Sequence, residues 1–124
     1  MPKTTSQTLV PDSARQLDVF RVTLQLISVC RPYVGRLRRF NRRLGDQLAE
    51  ALCSTLQNLV EALRRTGKDR AHLLTVALGS GDEVRAILEA AVAFAVLCEA
   101  ERRRADELAD RVCAMLYRRR QRCA

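Results

Sequence analysis

The sequence predicts an all-α protein arranged as an antiparallel up-down-up-down four-helix bundle. Three observations carry that expectation. The chain is written in Ala, Leu, Arg and Glu, all strong helix formers, whereas aromatics are 4% and Trp is missing; sheets favour aromatic and β-branched residues. Glycine (5) and proline (3) are scarce, so few positions can interrupt a helix. Apolar residues recur at helical spacing in four segments of similar length. The length of 124 residues suits one domain, and 48% hydrophobic residues can build a core, which excludes wholesale disorder.

Residues 1–12 read as a flexible leader, with Pro2 and Pro11 bracketing a Thr/Ser-rich stretch, and residues 13–124 as the bundle. Asp12 or Ser13 can cap the first helix, expected over 13–38. That helix carries two apolar stripes. Leu17, Phe20, Leu24, Ile27 and Val34 form one; Val19, Val22, Leu26, Val29, Tyr33 and Leu37 form the other. A bundle helix needs only an arc of about 100° to meet its core, so the second stripe is expected to seek a partner outside the bundle. Pro32 should bend this helix or end it early. The second helix, 41–65, sets Leu44, Leu48, Leu52, Leu56, Leu59 and Leu63 on one face, and Thr66-Gly67 should stop it with Gly67 as the left-handed residue. The third, 69–96, has a wide apolar arc interrupted by Gly79-Ser80-Gly81, either a break or a site of close helix approach. The fourth, 99–122, has a narrow seam of Ala105, Leu108, Val112, Met115 and Leu116. Helices of ~24 residues would be ~36 Å long.

The net charge is +8, from 22 Lys and Arg against 14 Asp and Glu, and it is unevenly spread. Residues 36–70 contribute +5 and residues 71–97 contribute −2. Four clusters hold the excess: Arg36, Arg38, Arg39, Arg42 and Arg43; Arg64, Arg65, Lys68 and Arg70; Arg102, Arg103 and Arg104; Arg118, Arg119, Arg120 and Arg122. An antiparallel bundle places the first beside the third at one end and the second beside the fourth at the other, giving two basic ends and a more neutral waist. Arginine forks onto phosphate, and counterion release adds sequence-independent affinity, so RNA or DNA is the expected ligand. Helix-end charge complementing the dipole accounts for about half of these residues but not for the overall excess. Few aromatics can stack bases, which favours backbone and shape contacts. The alternative is a scaffold or adaptor whose basic surface docks an acidic protein partner.

Catalytic chemistry is not expected. His72 is the only histidine, and no metal, phosphate-loop or nucleophile-elbow motif is present. Cys30, Cys53, Cys98, Cys113 and Cys123 lack metal spacing and read as reduced thiols, so neither cofactor nor metal is expected. No apolar run reaches the ~18–20 residues of a membrane span, and the N-terminus lacks a basic-then-apolar signal pattern, so a cytoplasmic location is expected. Asn58, Glu61, Ser80 and Glu83 should pair as structural hydrogen bonds between facing helices.

Several short motifs fall in a familiar order: Leu17-Asp18-Val19-Phe20-Arg21-Val22, Leu44-Gly45-Asp46-Gln47-Leu48, Ser54, Asn58-Leu59-Val60-Glu61, and Ala77-Leu78-Gly79-Ser80-Gly81-Asp82-Glu83. Over about residues 15–117 this order resembles the four-helix-bundle family of 23S rRNA intervening-sequence proteins, which includes the accessory variability protein of diversity-generating retroelements. The resemblance implies a ring-like homo-oligomer, a pentamer, that binds nucleic acid and, in the retroelement branch, a reverse transcriptase. The second stripe of the first helix would then form the ring contact. The chain departs from the family at Gln47-Leu48-Ala49-Glu50, where the family carries an arginine pair, so phosphate contacts would fall to Arg38–Arg43 and Arg118–Arg122.

Overall fold

The computed structural model describes residues 17–123; the expected leader 1–12, the caps Asp12 and Ser13, and Ala124 lie outside them. Four helices follow in order: α1 (Asp18–Phe40), α2 (Arg42–Leu63), α3 (Gly67–Ala93) and α4 (Glu99–Gln121). Each packs on its sequence neighbours and α4 closes back on α1, which makes a four-helix bundle. Cross-helix bonds run in opposite directions along the α2–α3 and α3–α4 seams, and single pairs tie α1 to α2 and to α4. Arg38 pairs with Asp46 across α1 and α2, and Ser54 with Ser80 and Ala62 with Arg70 across α2 and α3. Asp82 meets Cys113 and Arg85 meets Asp106 across α3 and α4, while Arg36 near the end of α1 holds Glu101 at the start of α4.

Helix α1 runs unbroken through Pro32, so the proline does not end it. Proline removes one donor and crowds the carbonyl four residues earlier. Both Pro32 and Ser28 are exposed, so water can take the freed carbonyl. Asn41 alone joins α1 to α2: its N–H donates to the Leu37 carbonyl at 2.7 Å, and its Oδ1 accepts from the Leu44 N–H at 3.1 Å as an N-cap. So tight a turn brings the two backbones together at Gly45. A Cβ there would lie 2.7 Å from the Arg38 nitrogen and 2.8 Å from the Val34 oxygen.

Two helix ends depart from expectation. Helix α2 stops at Leu63 rather than Arg65, because the Arg70 guanidinium donates to the last carbonyls, those of Ala62 and Leu63, at 3.1 Å each. Gly67 does adopt a left-handed φ of +54°, but it opens α3 rather than closing α2. Helix α3 stops at Ala93 rather than Val96. The Val96 N–H bonds the Ala91 carbonyl and the Ala95 N–H that of Val92, both at 2.9 Å, with Ala95 at φ +61°. That is a Schellman motif with alanine in the place glycine usually fills.

Helix α3 is continuous through Gly79-Ser80-Gly81. Gly81 is buried, and a Cβ would sit 2.8 Å from Cys113 Sγ, so close approach to α4 is what this glycine serves. The core contains Leu26, Leu37, Leu48, Leu59, Leu74, Leu88, Val112 and Leu116, all at 1% exposure or less. Buried Thr23 and Thr55 donate back to the carbonyls of Val19 and Ala51. The stripe of α1 expected to lack a partner is instead the one that fills this core. Val19, Val22, Leu26, Tyr33 and Leu37 are buried with Cys30, while Leu24 of the other stripe is 42% exposed. The seam of α4 holds at Ala105, Val112 and Leu116 and gains buried Ala109 and Cys113, while Leu108 and Met115 are only partly buried.

Candidate nucleic-acid interface

The basic clusters assemble in the expected pairs, but intramolecular partners hold a good part of them. At the first end Arg36 donates to Glu101 at 2.6 Å and 3.2 Å and to the Val96 carbonyl at 2.5 Å. Glu101 also accepts the Cys98 N–H at 3.0 Å. The Arg36 guanidinium, then that N–H, hold the Glu101 carboxyl down at about 2. Arg38 pairs with Asp46 at 2.8 Å. Arg102 is fixed by Glu99 at 2.5 Å and approaches Asp106 at 3.8 Å, and Arg103 lies 4.0 Å from Glu99. Arg39, Arg42, Arg43 and Arg104 are exposed, and no ion pair is formed by them among the described residues. Phe40 and Phe94 stack at this end with centroids 5.0 Å apart, both about half exposed.

At the second end Arg65, just past α2, pairs with Glu61 of that helix, and Arg70 is occupied by the α2 carbonyls. Arg64 and Lys68 lie exposed on the α2–α3 connection. Arg120 stands 5.1 Å over the Tyr117 ring. Arg119 and Arg122 meet Arg70 around one cavity, and together with Arg118 they also line a second beside Leu17 and Asp18 at the start of α1.

The waist between the two ends is the less basic part, with Asp106, Glu107 and Asp110 beside Arg111 on α4, and it carries a groove. A groove of about 590 Å³ runs along the α1–α4 seam, lined by Leu24, Gln25, Ser28, Val29, Arg104, Glu107, Leu108 and Arg111. It shares Ser28, Val29 and Arg104 with a neighbouring depression that reaches Arg36 and Glu101. Arg104, Arg111 and Arg118 therefore follow one edge of α4, seven residues apart. Seven residues rise about 10.5 Å, so the edge spans about 21 Å from the first to the third. All three are exposed and form no ion pair among the described residues.

Arg111 is the functional candidate that reading by clusters missed, since it stands alone in Asp110-Arg111-Val112. The heptad recurrence of arginine on α4 was the signal that could have found it. Elsewhere the structure separates what the sequence grouped. Ser80 does bond Ser54 at 2.7 Å, and Asn58 donates to Ser54 at 2.8 Å and 3.1 Å. Glu61 instead pairs with Arg65, four residues on, and Glu83 is exposed. His72 is exposed near the start of α3. No helix among the described residues is long and apolar enough to cross a membrane. No family model, curated protein or solved structure matches the chain.

Proposed function

We propose that this protein binds RNA or DNA through backbone phosphates, as a non-enzymatic helical bundle, with the α4 edge joining its two basic ends. One observation carries the reading: Arg104 and Arg111 line a groove and Arg118, in the same register one heptad on, lines the depression at the start of α1, all three exposed and outside any ion pair among the described residues. Surface arginines serving the fold alone are expected to find counter-charges, as Arg36, Arg65, Arg85 and Arg102 do. A row outside any such pair keeps its guanidiniums available to external phosphates. Free thiols at all five cysteines fit a reducing, cytoplasmic setting.

The resemblance to the intervening-sequence family gives this reading a biological form, an accessory to a reverse transcriptase assembled as a pentamer. Helix α1 no longer argues for that ring, because the stripe assigned to it is filled from within the chain. Nucleic-acid binding along α4 requires a single copy only. The test is anisotropy of a labelled oligonucleotide titrated with wild type and with Arg104→Gln, Arg111→Gln and Arg118→Gln combined. Wild type should bind at low salt and the triple variant at least a hundredfold more weakly, a loss in line with three phosphate contacts. Equal binding by a folded triple variant would remove α4 from the interface.

A second reading is favoured by the groove floor. Leu24, Val29 and Leu108 give it an apolar base between basic rims, which suits an adaptor docking an acidic amphipathic helix. Such binding buries apolar area and would lose only part of its strength in high salt, whereas phosphate binding would lose nearly all.

A further inference from the structure

We infer that the cavity between the α2–α3 connection and the end of α4 is a binding pocket for a phosphomonoester dianion, distinct from the phosphodiester track along α4. The cavity holds about 280 Å³ and is lined by Leu63, Thr66, Gly67, Arg70, Leu74, Arg119, Arg122 and Cys123. Three arginines line it and, among the described residues, no carboxylate side chain does. Arg119 is half-buried there with no carboxylate partner among the described residues. Burial, with Arg122 and Arg70 beside it, pulls its pKa below the usual arginine range. Like charges gathered in a part-buried site are costly unless an anion joins them. Arg70 keeps its place by donating Nε and one Nη to α2 carbonyls, which leaves its other Nη uncommitted.

The backbone completes the site. Helix α3 begins at this wall, and its cap residue Thr66 makes no side-chain capping bond, so the first-turn N–H groups have no partner within the helix. Gly67 opens that turn with nothing within 4 Å of where a Cβ would stand, leaving the backbone open to an incoming oxyanion. Asp69, the carboxylate of the same turn, is not part of the lining and acts on Arg65 instead. Three cations and a helix start suit two negative charges on one phosphorus better than the single charge of a phosphodiester. The dianion has two sources, the terminal phosphate of a nucleic acid or free phosphate and pyrophosphate. Only the first rests on the nucleic-acid reading.

The experiment is thermal unfolding of the full chain in inorganic phosphate or pyrophosphate against chloride at matched ionic strength. Phosphate should raise Tm by several degrees. Arg119→Gln should abolish the shift, and Arg31→Gln, an equal charge change on an exposed part of α1, should keep it. Should Arg119→Gln fold poorly, Arg122→Gln at an exposed position must show the same loss. No shift beyond chloride, or a shift that survives both substitutions, overturns the pocket. An oligonucleotide with a 5′- or 3′-phosphate binding at least tenfold more tightly than its hydroxyl form identifies the terminal phosphate as ligand. Equal binding of the two forms, with the pyrophosphate shift intact, identifies free phosphate. The combined α4 substitutions separate the two sites: they should weaken oligonucleotide binding at least a hundredfold and leave the phosphate shift in place.

Discussion

Replacing glycine by alanine at three helical positions should give three different outcomes. In a helix interior the change is worth about 1 kcal/mol in favour of alanine where space permits. At Gly79 nothing lies within 4 Å of the new Cβ, so Gly79→Ala should stabilise by about that amount and raise Tm by roughly 4 °C. At Gly45 the Cβ would stand 2.4 Å from Arg38 Cγ, 2.7 Å from the Arg38 nitrogen and 2.8 Å from the Val34 oxygen. Two of those obstacles are backbone and cannot swing aside. Overpacking of about 1–3 kcal/mol, at its upper end here, outweighs the propensity gain and leaves Gly45→Ala about 1–2 kcal/mol less stable. At Gly81 the obstacle is the Cys113 sulfur at 2.8 Å, a single side-chain atom, so the two effects should nearly cancel. Urea unfolding followed by circular dichroism measures all three, with a common m-value showing that the denatured state is unchanged. Should Gly79→Ala lose as much stability as Gly45→Ala, the reasoning fails: either α3 breaks at 79–81 or another surface covers that face.

Acid should probe the Arg36–Glu101 contact. The Glu101 carboxyl is held at about 2 when folded against about 4.3 in an unfolded chain, so its stabilisation is full above the unfolded value and is lost as pH falls toward 2. Wild type should therefore exceed Arg36→Gln in stability at pH 6 and converge on it near pH 2, as read by denaturant midpoints across that range. Maleimide labelling of the native protein at neutral pH should modify exposed Cys53 and Cys98 first. Cys30 and Cys113, pushed up to about 12 and about 11 by burial, should react only after unfolding. Mass spectrometry of the labelled peptides distinguishes the sites.

The four helices were legible in the sequence because apolar residues recur at helical spacing in each, over more than five turns in α2, and such a signal survives an error of a few residues at either end. What escaped was decided between helices. Both stripes of α1 are apolar, and only the position of α2 and α4 determines that Val19, Leu26 and Leu37 face inward while Leu24 faces out. The stop at Ala93 depends on alanine taking a left-handed φ at Ala95, a cost that local propensity argues against and the Schellman bonds offset. The basic clusters were visible as runs, but their availability was not. Arg102 and Arg65 find acids one helical turn away, whereas Arg38 and Arg36 find theirs across a turn or on another helix. Arg111 belongs to no run, and its place beside the groove emerges only when α4 is set against α1.

The salt dependence of oligonucleotide binding tests phosphate recognition along α4 most directly. The slope of log K against log salt counts the phosphates neutralised, at about 0.9 per contact on duplex DNA and about 0.7 on a single strand. Substituting Arg104, Arg111 and Arg118 by glutamine should lower the magnitude of that slope by about 2.7 on duplex or about 2.1 on single strand. A wild-type protein that fails to bind at low salt, or a triple variant with the wild-type slope, would contradict it.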